Sequence, residues 1–146
     1  MIICIGIDIA SPPGQVRLLE AGSGNPVLFM NGIGAPAIGM APLAGRLPGH
    51  RHLLVDLPGH GLSLPYQWQG APVRLQAVDI LAELLDGLAV EQVTLVGNSL
   101  GGLFALWFAS TVRRVSRCCS CGAKTTCSSA PRPASPASTR SRLPAS

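Results

Sequence analysis

A serine with a glycine two residues away on either side is the feature of this chain best suited to covalent chemistry. Residues 97–101 read Gly-Asn-Ser-Leu-Gly, with four residues typical of β-strands before them and an apolar, helix-like segment after them. Between a strand and a helix, G-x-S-x-G forms a sharp turn that exposes the serine hydroxyl, and its glycines prevent collisions. We therefore predict that Ser99 is a nucleophile, with a helix N-terminus behind it to stabilise a developing oxyanion. The alternative is an ordinary strand–helix turn in which Ser99 caps the helix.

The elements that must position this serine alternate between strand and helix. From residue 26 onward a strand, a loop and a helix follow one another three times, which predicts an α/β fold with a mostly parallel sheet flanked by helices. The loops after residues 30, 56 and 96 lie at the C-terminal ends of strands, where such sheets collect reactive groups. The predicted strands are 2–9, 15–20, 26–30, 52–56 and 93–96, and the predicted helices are 40–47, 75–88 and 100–109.

Charge divides the chain of 146 residues into two parts. Residues 1–110 carry a net charge of −3, whereas residues 111–146 carry a net charge of +7 and no acidic residue. The second part has only three large aliphatic residues, too few to offset the entropy of ordering the chain. We predict one partial α/β domain over 1–110 and a disordered C-terminal tail, rich in Arg, Ser, Pro and Cys, over 111–146. The basic pI belongs to the tail, which lacks interleaved aromatic residues, so no nucleic-acid partner is expected.

Four of the five cysteines lie in this tail, at positions 118, 119, 121 and 127. They offer enough thiolates for zinc, but a separated second pair and a nearby histidine are missing, so we expect no metal and no cofactor. The chain has no apolar run of 18 residues and no basic segment before its first apolar stretch. We therefore expect no membrane partner and a cytoplasmic location. The oligomeric state is not indicated by any of these patterns.

Three motifs together resemble the α/β-hydrolase family, in its ester-hydrolase branch. They are Asn-Gly-Ile-Gly at 31–34 after an apolar strand, Asp-Leu-Pro-Gly-His-Gly-Leu-Ser at 56–63, and the turn at 97–102, and they occur in the order of the family. The resemblance runs from about residue 16 to residue 109. It implies that Ser99 is the nucleophile, that the backbone N–H groups of Ile33 and Leu100 form the oxyanion hole, and that the substrate is a small-molecule ester.

Individual residues bear on which branch of the family the chain resembles and on which side chains take part in catalysis. Asn31 stands where the family usually has histidine, and Asn-Gly-Ile-Gly-Ala at 31–35 also resembles intracellular polyhydroxyalkanoate depolymerases. Serine at position 99 argues against haloalkane dehalogenases and epoxide hydrolases, which use a carboxylate nucleophile. Asp56 and His60 lie in a loop that is structural in the family, so we assign neither of them to catalysis.

The chain departs from the family after Ser99, because no His, Asp or Glu follows this residue. A serine hydroxyl is a weak nucleophile without a base, so we predict that the chain is inactive or nearly so. A shift of reading frame near Ser110 would explain the tail, since an alternative frame with assumed codons encodes a family-like strand. We further expect the sheet to end at the strand 93–96 and the chain to aggregate through that edge. The alternatives are a non-catalytic binding or regulatory module, or a hydrolase with an unusual base such as His60 or a histidine from another chain.

Overall fold

A computed structural model describes residues 2–10, 13–65 and 70–121 of the chain. Six strands form one sheet in the order β1-β2-β4-β3-β5-β6. The strands are β1 (Ile2–Ala10), β2 (Pro13–Gly22), β3 (Asn25–Met30), β4 (His50–Asp56), β5 (Val93–Asn98) and β6 (Val115–Cys121). A 3₁₀ helix (Ala37–Met40) leads into the helix α1 (Ala41–Ala44), and two longer helices follow, α2 (Val73–Gly87) and α3 (Leu100–Thr111).

The direction of the strands confirms the predicted α/β class. β2 is antiparallel to β1 and β4, whereas β4, β3, β5 and β6 run parallel to one another. Within the parallel part, Phe29 of β3 lies opposite Leu54 of β4 and Val96 of β5. The C-terminal ends of these three strands therefore meet at one edge of the sheet, and the loops that follow them come together there.

Both faces of the central strands are buried, as their apolar sequences predict. On one face, β3, β4 and β5 pack against α2 and α3. On the other face, the 3₁₀ helix and α1 cover the apolar side chains. The helix α2 forms because its apolar residues recur at a spacing of three and four, so that one side of the helix faces the sheet. Its buried residues are Gln76, Ala77, Val78, Ile80, Leu81, Leu84 and Leu85.

The chain after residue 110 differs from the sequence-based expectation. Helix α3 continues to Thr111, and β6 then pairs in parallel with β5. The expectation that the sheet ends at the strand 93–96 is therefore wrong, because β6 and not β5 lies at this edge. The low apolar content of the tail was a poor guide here, since pairing at a sheet edge uses backbone hydrogen bonds and needs few buried side chains. Val115 supplies one apolar contact with the core.

The structure does not describe the chain after residue 121. Residues 122–146, which include Cys127, lie outside the described residues, and so do the side chains of Cys118, Cys119 and Cys121. The zinc alternative falls on these groups, and the division of the chain at residue 110 stays a prediction. In the described part of the chain, no helix has the length and apolar character needed to cross a membrane.

Candidate active site

Ser99 occupies the sharp turn between the last residue of β5 and the first residue of α3. Its backbone has φ 52° and ψ −115°, a conformation that costs a non-glycine residue about 1–3 kcal/mol. The side chain is exposed, and it makes no capping hydrogen bond to the helix behind it. The geometry therefore favours the strained turn of a nucleophile elbow over the alternative of a capping serine.

Two glycines permit this turn because the backbone passes very close to them. A Cβ on Gly97 would lie 2.5 Å from the carbonyl carbon of Gly101, on the first turn of α3. A Cβ on Gly101 would lie 2.5 Å from the carbonyl carbon of Met30 and 2.7 Å from the carbonyl oxygen of Asn31. The N–H of Gly101 donates to that Asn31 oxygen over 3.1 Å. The start of α3 is thus packed directly against the end of β3.

The two predicted oxyanion donors, the N–H groups of Ile33 and Leu100, belong to the loop after β3 and to the start of α3. Leu100 is the first residue of α3, so its N–H has no acceptor within the helix. Ile33 lies in the loop after β3, and the adjacent Gly32 faces the serine: a Cβ on Gly32 would lie 3.1 Å from Cβ and 3.6 Å from Oγ of Ser99. Within residues 13–65 and 70–116, neither the Ile33 nor the Leu100 N–H donates to a protein acceptor. A developing oxyanion requires two such donors without other acceptors.

A pair of asparagines at this site was not singled out as functional from the sequence. The Asn98 Nδ2 donates to Oδ1 of Asn31 over 3.2 Å, and the same oxygen accepts the N–H of Gly32 over 2.9 Å. The sequence analysis used Asn31 as part of the loop motif and as a departure from histidine, and gave its side chain no role. The available signal was its position, because Asn31 follows β3 and Asn98 ends β5, and these strands are neighbours in the sheet.

Asp56 and His60 have structural partners, in agreement with the roles predicted for them. The Asp56 carboxylate is buried and accepts the N–H of Ala37 over 2.6 Å and the N–H of Leu62 over 2.9 Å. Its two oxygens therefore tie the loop after β4 to the start of the 3₁₀ helix. The Nδ1 of His60 lies 3.0 Å from the carbonyl oxygen of Pro58, an acceptor within its own loop.

The arrangement brings together the predicted nucleophile and the two predicted oxyanion donors, but within the described residues it shows no proton acceptor for the serine hydroxyl. In the described part of the chain, Oγ of Ser99 has no hydrogen-bond partner, and the Nδ1 of His60 is paired with the carbonyl oxygen of Pro58 instead. Such a site can polarise a carbonyl group next to the serine hydroxyl. It offers no side chain in hydrogen-bond contact that could take the hydroxyl proton.

Comparison with known proteins assigns the family. The family model described as the alpha/beta hydrolase fold matches residues 25–142, so the chain belongs to the α/β-hydrolase fold family. A 2-hydroxy-6-oxononadienedioate/2-hydroxy-6-oxononatrienedioate hydrolase of Burkholderia vietnamiensis is 37% identical over 101 residues, which cover 65% of this chain and 35% of the relative. A pimeloyl-[acyl-carrier protein] methyl ester esterase of Xanthomonas oryzae pv. oryzae is 39% identical over 95 residues, which cover 64% of this chain and 35% of the relative.

Solved structures agree on the fold. A haloalkane dehalogenase from Agrobacterium tumefaciens superposes with a TM-score of 0.69 at 26% identity, covering 82% of this chain and 40% of the neighbour. An epoxide hydrolase from Vigna radiata superposes with a TM-score of 0.71 at 21% identity, covering 82% and 39% of the two chains. The matched part of this chain spans 35% of the length of each of the two curated relatives, which is about a third.

Proposed function

We propose that this chain carries the nucleophile and oxyanion hole of a serine hydrolase that acts on a carboxylic ester or a related acyl bond in a small molecule. In this role Oγ of Ser99 attacks the acyl carbon, and the N–H groups of Ile33 and Leu100 bind the oxygen that becomes negatively charged. The observation that carries the proposal is the strained, uncapped and exposed conformation of Ser99.

Two further observations support the acyl substrate class. The residue at the turn is serine, and a serine oxygen attacks acyl carbons in this type of site. Relatives that cover a similar share of the chain include an esterase and a hydrolase of a 2-hydroxy-6-oxo acid. The match covers only 35% of the length of each relative, so the proposal stops at the bond that is cleaved.

We also propose that the 146 residues have little or no turnover on their own. No His, Asp or Glu follows Ser99, and no base contacts its hydroxyl in the described region. The same observation favours a second candidate function, a binding or regulatory module that keeps the fold without the chemistry.

Labelling with a fluorophosphonate probe tests the nucleophile, because this reagent needs a reactive serine beside oxyanion donors. We expect slow labelling at neutral pH that becomes faster in alkaline buffer, where hydroxide can take the serine proton. Ser99→Ala should abolish the labelling. Ser110→Ala is the matched control and should leave it unchanged, since Ser110 is exposed at the far end of α3 and donates to the carbonyl of Trp107. Turnover of p-nitrophenyl butyrate should not exceed that of Ser99→Ala.

Two other outcomes decide against parts of the proposal. Fast labelling with turnover at neutral pH would overturn the predicted inactivity, and His60→Ala would then show whether His60 is the base. Folded protein in which Ser99 is not labelled at any pH would contradict the nucleophile role and favour the binding module.

A further inference from the structure

The carboxamide of Asn31 lies at the junction between the loop after β3 and the serine turn. Its Oδ1 accepts the N–H of Gly32 over 2.9 Å and the Nδ2 of Asn98 over 3.2 Å. Its Nδ2 donates to the carbonyl oxygen of Pro36 over 3.2 Å. One neutral side chain therefore bonds to both ends of its own loop and to the residue before Ser99.

The 3₁₀ helix leaves space for this carboxamide because it has a glycine at position 39. A Cβ on Gly39 would lie 2.9 Å from Nδ2 of Asn31, so a larger residue there would displace the amide. The backbone of Asn31 is held as well, because its carbonyl oxygen accepts the N–H of Gly101 over 3.1 Å. Both the main chain and the side chain of Asn31 are thus fixed relative to α3.

One bond of Asn31 and one bond of the loop backbone constrain the two peptides on either side of Gly32, the second of which carries the Ile33 N–H. The carbonyl of Gly32 accepts the N–H of Ala35 over 3.2 Å, which fixes the plane of the peptide between Gly32 and Ile33. In a planar trans peptide the C=O and the N–H point in opposite directions, so the Ile33 N–H points away from this turn. The N–H of Gly32 already donates to Oδ1 of Asn31. Of the N–H groups of Gly32 and Ile33, only that of Ile33 is therefore free to bind an oxyanion.

We propose that Asn31 is a positioning residue that orients the Ile33 N–H towards the oxyanion formed when the residue at position 99 attacks an acyl carbon. This inference rests on the proposed function and adds a role for the residue at which the chain departs from the usual histidine. Asn31 acts through the loop, and within the described residues no hydrogen bond joins it to Ser99.

A cysteine introduced by Ser99→Cys allows a test that does not depend on the missing base, because a free thiol ionises at about pH 8.5 without assistance. In this background, the introduced thiolate reacts with p-nitrophenyl acetate. A bond forms between sulfur and the acyl carbon, the carbonyl electron pair moves to oxygen, and its return expels p-nitrophenolate. Alkylation by iodoacetamide displaces iodide and forms no oxyanion. Both adducts are quantified at position 99 by peptide mass spectrometry.

Asn31→Ala in this background should slow acylation by tenfold or more and change alkylation by less than twofold. Removal of a complete oxyanion donor costs about 10²–10³ in rate, and a misdirected donor costs part of that factor. Asn98→Ala removes one of the three carboxamide bonds, so acylation should fall selectively but by a smaller factor. Asn25→Ala is the matched control, because Asn25 is exposed at the opposite end of β3, and neither reaction should change.

Each outcome supports or overturns the proposal. Equal losses of acylation and alkylation would show that Asn31 acts only on access or folding, and unchanged acylation would also overturn the positioning role. If circular dichroism shows that Asn31→Ala is unfolded, Asn98→Ala decides by the same comparison. Failure of the proposed function gives a different result: with Asn31 intact, the ratio of acylation to alkylation at the introduced thiol would be no higher than at the exposed Cys4.

Discussion

Replacement of Gly101 by alanine tests the close contact on which the site depends. The new Cβ would lie 2.5 Å from the carbonyl carbon of Met30 and 2.7 Å from the carbonyl oxygen of Asn31, whereas real Cβ contacts stay above 3.0 Å. Both of these atoms are backbone atoms at the end of a central strand, so they cannot rotate away. The first turn of α3 must therefore move by several tenths of an ångström from β3, and it carries Ser99 with it.

The energetic cost follows from three terms. Overpacking of a tight backbone contact costs about 1–3 kcal/mol. Weakening of the bond from the Gly101 N–H to Asn31 costs about 1 kcal/mol, and the higher helix propensity of alanine returns about 1 kcal/mol. We therefore expect Gly101→Ala to lower the free energy of unfolding by about 1–3 kcal/mol.

Urea denaturation followed by far-ultraviolet circular dichroism measures this change, provided that the slope of the transition is the same for both proteins. Gly45→Ala is the control, because Gly45 has φ −62° and a Cβ there would meet the carbonyl oxygen of Ala41 at an ordinary 3.5 Å. Its stability should stay within about 0.5 kcal/mol of the parent. If Gly101→Ala has the same midpoint as the parent chain, the reasoning from the close approach of α3 and β3 is refuted.

Two other substitutions address the loop and the core. Asp56→Ala leaves two backbone N–H donors without their carboxylate. We therefore expect the free energy of unfolding, measured by urea denaturation, to fall by about 2 kcal/mol or more, and amide hydrogen exchange in residues 57–63 to become faster. Unchanged exchange would contradict the structural role of Asp56. Phe108→Ala removes a fully buried side chain of α3 and should lower the free energy of unfolding by about 3–5 kcal/mol. Leu103 is 39% exposed on the same helix, so Leu103→Ala should lower it far less. Similar losses for the two variants would place Phe108 outside the core.

The serine turn was predictable because its determinants are local. A strand of β-type residues, glycines two residues either side of Ser99, and an apolar helix all lie within 93–111 of the chain. The fold class was predictable for a similar reason, since apolar runs and the helical spacing of residues 75–88 report which face of each element is buried. Asp56 was correctly assigned a structural role through the motif around it.

The pairing of strands was harder to predict from composition. β6 forms in a segment with few aliphatic residues, because the open edge of β5 supplies hydrogen-bond partners for a backbone of almost any sequence. The bond between Asn31 and Asn98 joins residues that are 67 positions apart. No local pattern links them, since their contact exists only when β3 and β5 lie side by side.

The amino-acid sequence by itself determined the α/β class, the order of the strands and longer helices up to α3, the serine at the turn, and the lack of any histidine or acidic residue after it. These follow from side-chain periodicity and from residue identity, which are properties of short segments. Only the tertiary structure decided that Ser99 is uncapped, that β6 closes the open side of β5, and that Asn31 bonds across to Asn98. The last two depend on which parallel strands become neighbours, and that order is set by the packing of the whole sheet between its helices.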